Sequence, residues 1–411
     1  MFLTEKDICK FIEAYDYDIR KTGNARWIDQ KCAADVVNVI ADCIYNYALE
    51  NPNSIFTTPD IWHYEYAVQN IEAIFKKPEV ESLAAKNEYD KFFQQPMEML
   101  AYAQVLTKIK KGNRNYYKVN NMEVLEYIAI RDRNALLFLK VYIEKVLRDS
   151  GIYVAFEEFF EKQTKDAYQH VKKVFSDFTI KYTKINGEVE CNRIFIKVLN
   201  PLAYFNNSYG TEKGRLSEHK ITYDMIMYNR NNFRDIYADK PKDVTRKEYA
   251  KTHPVKINEA YYAYQSAKAK RFLRIFNDQN RGGLTEHLEL AHMRDKAIHM
   301  HHIFPEANYP EISYYLENII ALTPTQHLGY AHPDGKTQEI DEQVQHLLLL
   351  SKADRIKENL LDEKMEKIYE FSNLLFVLNV GFDNDDVLTI SDMDFISVVN
   401  AINMHYIKTG A

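Results

Sequence analysis

Apolar residues recur at helical spacing along most of the chain, so helix is the dominant expectation. From Asp29 to Leu49 the positions Val36, Val37, Val39, Ile40, Cys43, Ile44 and Ala48 mark one helix, stopping before Asn51-Pro52. Thr57-Thr58-Pro59-Asp60 reads as a helix start leading through Trp62, Tyr66 and Ile71 to Phe75. Leu136, Leu137, Leu139, Val141, Ile143, Val146 and Leu147 form a core helix ended by Gly151. Asn186-Gly187, between apolar runs at 178–185 and 188–199, is the strongest short-range hairpin signal and predicts a central β-hairpin. A helix is expected over about 258–277, closing at Gly282-Gly283, and residues 338–411 read as helical, with work in packing or self-association.

The polar positions add candidate nucleic-acid contacts. Two short helices, about 79–91 and 96–109, precede a hairpin over 110–119 and another helix from about 121, an order that resembles a winged helix-turn-helix. Lys108, Lys110, Lys111, Arg114 and Lys118 carry five cations with no acid between them, interleaved with Tyr116 and Tyr117. Such a wing touches the DNA backbone, while the plainer reading is a solvated hairpin. Residues 206–281 hold sixteen Lys and Arg against nine Asp and Glu, and the helix there carries Lys268, Lys270, Arg271 and Arg274. Phosphate contact and a charged solvent face are both open for it. The fold class expected is α+β, predominantly helical, divided as 1–150 helical with the winged element, 151–290 mixed α/β and DNA-contacting, 291–340 a catalytic module and 341–411 helical.

Composition narrows the classes. The chain has 411 residues, 46% of them hydrophobic, which suffices for two or three cores. Thirty Tyr and 22 Phe suit surfaces that are apolar and hydrogen-bonding at once. A net charge of −6 argues against coating nucleic acid indiscriminately, so DNA contact would use local basic patches. Cys9, Cys32, Cys43 and Cys191 contain no C-x-x-C pair, so neither a zinc ribbon nor a disulfide framework is expected. The N-terminal residues are charged too early for a signal peptide, and no apolar run approaches the roughly 18 residues of a membrane span. A cytoplasmic protein is the expectation.

The most specific chemistry lies between 299 and 332, which holds five of the thirteen histidines. Phosphodiester hydrolysis needs a base for water and a cation for charge on the phosphoryl oxygens. One imidazole cannot serve both, because a metal-bound ring has committed its lone pair. The dipeptide His301-His302 divides the labour: His301 ligates the metal and His302 activates water. Asn318, ahead of the apolar run Ile319 to Leu322, can tie the loop through side-chain to backbone hydrogen bonds. Thr323 as N-cap and Pro324 at the first helical position place His327, the second ligand, in the first turn.

These residues closely resemble the HNH, or ββα-metal, nucleases, whose pattern is a paired histidine, a central asparagine and a terminal histidine. The run Asn318-Ile319-Ile320-Ala321-Leu322-Thr323-Pro324-Thr325-Gln326-His327 is similar to the same element of colicin-type DNases. The resemblance implies His301 and His327 as ligands, His302 as general base, Asn318 as structural asparagine, and products with 5′-phosphate and 3′-hydroxyl ends. Colicin-type enzymes place a further histidine one helical turn on, where this chain has Ala331. His332 follows one residue later, as third ligand, phosphate contact or proton donor to the leaving group. Mg²⁺ is the expected cation, with Mn²⁺, Ni²⁺ or Zn²⁺ as alternatives, since imidazole is softer than Mg²⁺ prefers. The remainder of the chain is similar in plan to a type II restriction endonuclease acting on double-stranded DNA as a homodimer, since one site cuts one strand.

Competing readings are a structural zinc site, a DNA-binding regulator with a degenerate module, a non-specific or bacteriocin-like nuclease, and a carboxylate site at Asp334 with Asp362, Glu363 and Lys364. Structural zinc usually takes thiolate, and Cys191, the nearest cysteine, is more than a hundred residues from His301.

Overall fold

The structure, a computed structural model, describes residues 3–75, 77, 80, 81, 85–228, 259–287, 295–332 and 340–409. The chain forms two compact units, 2–255 and 256–411, where four segments were expected. Helix predominates, with three two-stranded antiparallel sheets among the described residues. No described helix is long and apolar enough to cross a membrane.

The N-terminal unit is built on helix Ala34–Glu50, buried continuously from Ala34 to Tyr45 because its neighbours cover it all round. It packs against helices Met122–Ile130 and Asp132–Asp149. Asn38 at its centre is fully buried and donates to the carbonyls of Ile128 and Ala129 at 2.8 and 2.9 Å. Those are carbonyls that the end of helix Met122–Ile130 leaves without helical partners. Thr57 caps the next helix reciprocally with Asp60, as the Thr-Thr-Pro-Asp start predicts, but the helical run to Phe75 breaks into Thr58–Trp62 and Glu65–Phe75.

Two expectations are corrected here. The pair of helices read at 79–109 is one helix, Ala85–Tyr102, that accommodates Pro96 internally, so no turn separates two helices within it. Residues 78, 79 and 82–84 of that stretch lie outside the described set. The predicted hairpin at Asn186-Gly187 is instead a connection between helices Lys165–Tyr182 and Glu188–Phe205. The buried set Cys191, Ile194, Phe195, Val198, Leu199 and Leu202 has helical period, and that tertiary pattern overrides the local turn preference.

Two other hairpins form in the N-terminal unit. β1 (Leu106–Lys111) pairs with β2 (Arg114–Val119) around Gly112, whose φ of +58° suits glycine. β3 (Tyr209–Glu212) pairs with β4 (Arg215–Lys220) around Lys213-Gly214, both at positive φ.

The C-terminal unit assembles helix Glu259–Asn280, the antiparallel pair β5 (His299–His302) and β6 (Ile319–Leu322), and helices Glu342–Leu361, Phe371–Phe382 and Phe395–Thr409. In β5–β6, His299 faces Leu322, His301 faces Ile320 and His302 faces Ile319. All four residues of β6 are buried. The open edge of β6 is closed by Glu286: its amide donates to the carbonyl of Ala321 at 2.9 Å, and its carboxylate accepts from the Ala321 amide at 2.8 Å. The same carboxylate, wholly buried, meets Arg281 at 2.6 Å, Lys352 at 3.3 Å and Tyr369 at 3.2 Å. A sheet of two short strands is thereby tied to the helices around it. Gly381 serves the same end, since a Cβ there would collide with the ring of Phe304, two residues beyond β5.

Candidate functional site

Alternation along β5 puts His299 and His301 on one face, and both rings meet His327, with centroids 4.7 and 5.0 Å away. His327 sits where the helix after β6 begins. Thr323 and Gln326 cap that start reciprocally: the Gln326 amide donates to Thr323 Oγ1 at 3.2 Å, and Gln326 Oε1 accepts from the Thr323 amide at 3.0 Å. Gln326 also donates to the carbonyl of His287 at 2.8 Å, which fixes the turn against the preceding loop.

The helix then widens. Residues Gln326–Ala331 form a π-helix, with hydrogen bonds spanning five residues. In an α-helix a residue five positions on lies about 140° around the axis. In the wider turn it returns toward the same face. His332 therefore joins His301 and His327, its ring 4.9 and 4.8 Å from theirs, and the gap at Ala331 is closed by backbone geometry. Ligand atoms from His301, His327 and His332 all lie within 4.8 Å of one another.

This arrangement fits a bound cation. Nε2 of His301 is buried with no hydrogen-bond partner among the described residues, which is costly for an imidazole unless something occupies it. The His327 Nδ1 is 2.8 Å from His299 Nδ1, and with the shared proton on His327 Nδ1 the lone pair of its Nε2 is left for an ion. Burial is the main cause that lowers the proton affinity of His301 well below the usual imidazole range, with the neighbouring imidazoles adding to it. His327 is lowered to about 4, again by burial first and then by His332 and His299. Both rings are neutral near neutrality, the form that ligates.

His302 stands apart from the three. Its Nε2 lies 2.8 Å from the carbonyl of Ser313, which can only accept, so Nε2 carries the proton and Nδ1 the lone pair. Ser266 Oγ is 3.1 Å from the same Nε2, and Glu306 Oε2 is 3.6 Å from Nδ1. On distances alone this could be read as a serine nucleophile with histidine and carboxylate, but a base for Ser266 would need its lone pair on Nε2. The Ser313 carbonyl rules that out. His302 and Glu306 line a cleft of about 360 Å³ together with His299, His301, His327, His332 and Lys270. Burial and nearby Lys270 lower the His302 pKa to about 3, so it too is neutral.

Asn318 is fully buried and makes the side-chain to backbone bonds expected of it. Its Oδ1 accepts from the Phe304 amide at 2.8 Å, and its Nδ2 donates to the carbonyls of Phe304 at 3.0 Å and Ile312 at 3.3 Å. The loop carrying Ser313 is thus held in place, and with it the tautomer of His302.

The expected DNA-contacting residues divide. The β1–β2 register places Lys111, Arg114 and Lys118 on one face with Ile109 and Tyr116. Lys108 lies on the other face and pairs with Glu98 at 2.7 Å, which also accepts from Tyr117 at 2.6 Å. Lys110 shares that second face near the tip and is exposed. On the 259–280 helix Arg271 and Arg274 are exposed, while Lys268 donates to Tyr264 at 2.9 Å. The basic residues between 229 and 258 lie outside the described set. So does Asp334 of the carboxylate alternative, whose other members Asp362, Glu363 and Lys364 are exposed at and beyond a helix end.

Sequence reading gave no role to His299, Ser266, Glu306 or the Ser313 carbonyl. Glu306 lies four residues past His302, and Ser266 and Lys270 are four apart on one helix, but nothing in the sequence says that helix faces the histidines. Comparisons with family models, with curated proteins and with solved structures find no match to this chain.

Proposed function

We propose that this chain is a metal-dependent DNA endonuclease of the HNH type, cutting double-stranded DNA by hydrolysis at specific sequences as type II restriction enzymes do. The observation that carries the reading is the pairing of three convergent imidazoles with a fourth, His302, that lines the same cleft and is held at Nε2 by the Ser313 carbonyl. A closed structural metal site would supply four ligands, usually with thiolate, and would not open on a cleft with a base beside it.

His301, His327 and His332 would hold one divalent cation, which when bound supplies Lewis-acid stabilisation of charge on the phosphoryl and leaving oxygens. His302 accepts a proton from water at Nδ1, while its Nε2–H stays on the Ser313 carbonyl and fixes the ring. An anionic phosphodiester entering the cleft raises the proton affinity of His302 from its low resting value. Asn318 keeps the loop, and therefore the base, in register. His299 orients His327 through the Nδ1 contact.

Three imidazole nitrogens favour borderline ions such as Zn²⁺, Ni²⁺, Co²⁺ or Mn²⁺ over Mg²⁺, which prefers oxygen ligands. Lys111, Arg114 and Lys118, with Arg271 and Arg274, are the proposed backbone contacts. One site cuts one strand, so a symmetric double-strand break calls for a homodimer. Incubation with plasmid DNA and each of these ions, followed by end sequencing, tests the reading. Discrete fragments with 5′-phosphate ends support it, a smear removes sequence specificity, and intact plasmid with every ion overturns it.

A further inference from the structure

We infer that Lys270 receives the scissile phosphate, so that helix Glu259–Asn280, outside the strand–strand–helix unit, contributes an anion subsite to the cleft. This rests on the nuclease reading above and extends it to a residue that the histidine pattern does not contain.

Lys270 lines the same cleft as the five histidines. Its side chain is 35% exposed, and its ion-pair partner, Glu306 Oε2, is 4.0 Å away, beyond hydrogen-bond reach. An ammonium has three donors, and this one makes no hydrogen bond to a described residue. Other cations of the same unit are satisfied: Lys352 reaches Glu286 and Tyr369, and Lys268 reaches Tyr264. A partly buried cation left short of acceptors costs stability, so its retention in a cleft points to an anion that arrives from outside.

Placement agrees. Ser266 and Lys270 lie four residues apart on one helix face, and Ser266 Oγ touches His302 at 3.1 Å. Glu306 Oε2 lies 4.0 Å from the ammonium and 3.6 Å from His302 Nδ1, so one carboxylate oxygen stands between the cation and the base, where a phosphate oxygen would take its place. Glu306 is the resident counter-ion. It accepts from Ser266 at 3.2 Å and is itself 35% exposed, so its carboxylate has room to turn toward solvent when a phosphate takes its place beside Lys270. An ammonium beside three imidazoles also repels a divalent cation, so Lys270 works against the ion and for the phosphate.

The experiment combines single-turnover plasmid cleavage with Co²⁺ titration followed by visible absorption, on the full chain and on Lys270→Met, Lys270→Arg and His302→Ala. The expected result is that Lys270→Met binds Co²⁺ at least as tightly as the parent yet cleaves saturating DNA on the order of 10²-fold more slowly. Lys270→Arg should recover most of that loss, because it restores a donor to the phosphate. Parental cleavage by Lys270→Met overturns the inference while leaving the nuclease reading intact. Loss of Co²⁺ binding together with cleavage in Lys270→Met also overturns it, since Lys270 would then be structural. If the parent leaves the plasmid intact with every ion, the nuclease reading falls and the assignment of Lys270 falls with it, whereas parental cleavage by His302→Ala removes only His302 as the base.

Discussion

The β5–β6 pair and the β1–β2 pair are both short antiparallel ribbons rich in side-chain nitrogen, and they are prepared for opposite tasks. β5–β6 is enclosed: β6 is wholly buried, its edge is closed by Glu286, and burial holds His301, His302 and His327 neutral. Stripped of charge, those nitrogens keep lone pairs for an ion and for a proton. β1–β2 leaves Lys110, Lys111 and Arg114 exposed, and under the proposed function their field would reach phosphates at a distance. The ladder is the same in both. What packs against it decides whether its nitrogens are enclosed or left to solvent.

The comparison breaks most visibly at His302. Its replacement by alanine should lower cleavage by roughly 10²–10⁴-fold, the usual contribution of a general base, as read in single-turnover assays. Glu286→Ala comes next. It removes the common partner of Arg281 and Lys352 and should cost about 3–5 kcal/mol in chemical denaturation, the penalty for an uncompensated buried charge.

The same cluster gives a pH signature. Burial, outweighing the pairing with Glu286, lowers Lys352 from 10.5 to about 8. Between those values the unfolded chain holds the extra proton, so the contribution of Lys352 to stability grows as pH rises from 8 and is lost as pH falls back through 8. Melting temperature compared at pH 7 and 9 should therefore favour pH 9 more in the parent than in Lys352→Met. A smaller change is expected at His299. Alanine there should weaken metal binding by about 10–100-fold, as loss of a partner to a ligating imidazole does, with folding retained.

The smallest effects belong to β1–β2. Alanine at Lys111, Arg114 or Lys118 should each reduce the salt dependence of DNA binding by about one unit of slope, with cleavage of saturating DNA unchanged. Lys108→Ala should do less, because Glu98 already holds that ammonium. Equal losses at all four positions would erase the distinction between the faces of the hairpin.

Much of this was legible in the residues. Helices with strong apolar period stand where they were expected, as Ala34–Glu50 and Asp132–Asp149 do, because burial on one face is written in the spacing. His301, His302, Asn318 and His327 could be named because their chemistry is local to one short motif. Asn186-Gly187 misled because turn preference is weak beside a helical core stripe, and the hairpin over 209–220 was missed because Thr211, Ser217 and its charged neighbours do not alternate clearly. The part played by His332 was illegible for a different reason. A π-turn has no residue signature, so the sequence could not say that five positions on from His327 is the same face. Ser266 and Glu306 were hidden, and Lys270, though open to phosphate contact, could not be placed beside the histidines, because only tertiary packing brings the 259–280 helix to them.

The central claim is that three imidazoles share one ion while the fourth stays free to take a proton, and Co²⁺ titration of the parent, His332→Ala and His302→Ala measures it directly. The account predicts one ion per chain in the parent, the same ion held as tightly in His302→Ala, and weaker binding in His332→Ala. Binding lost in His302→Ala but kept in His332→Ala would contradict it.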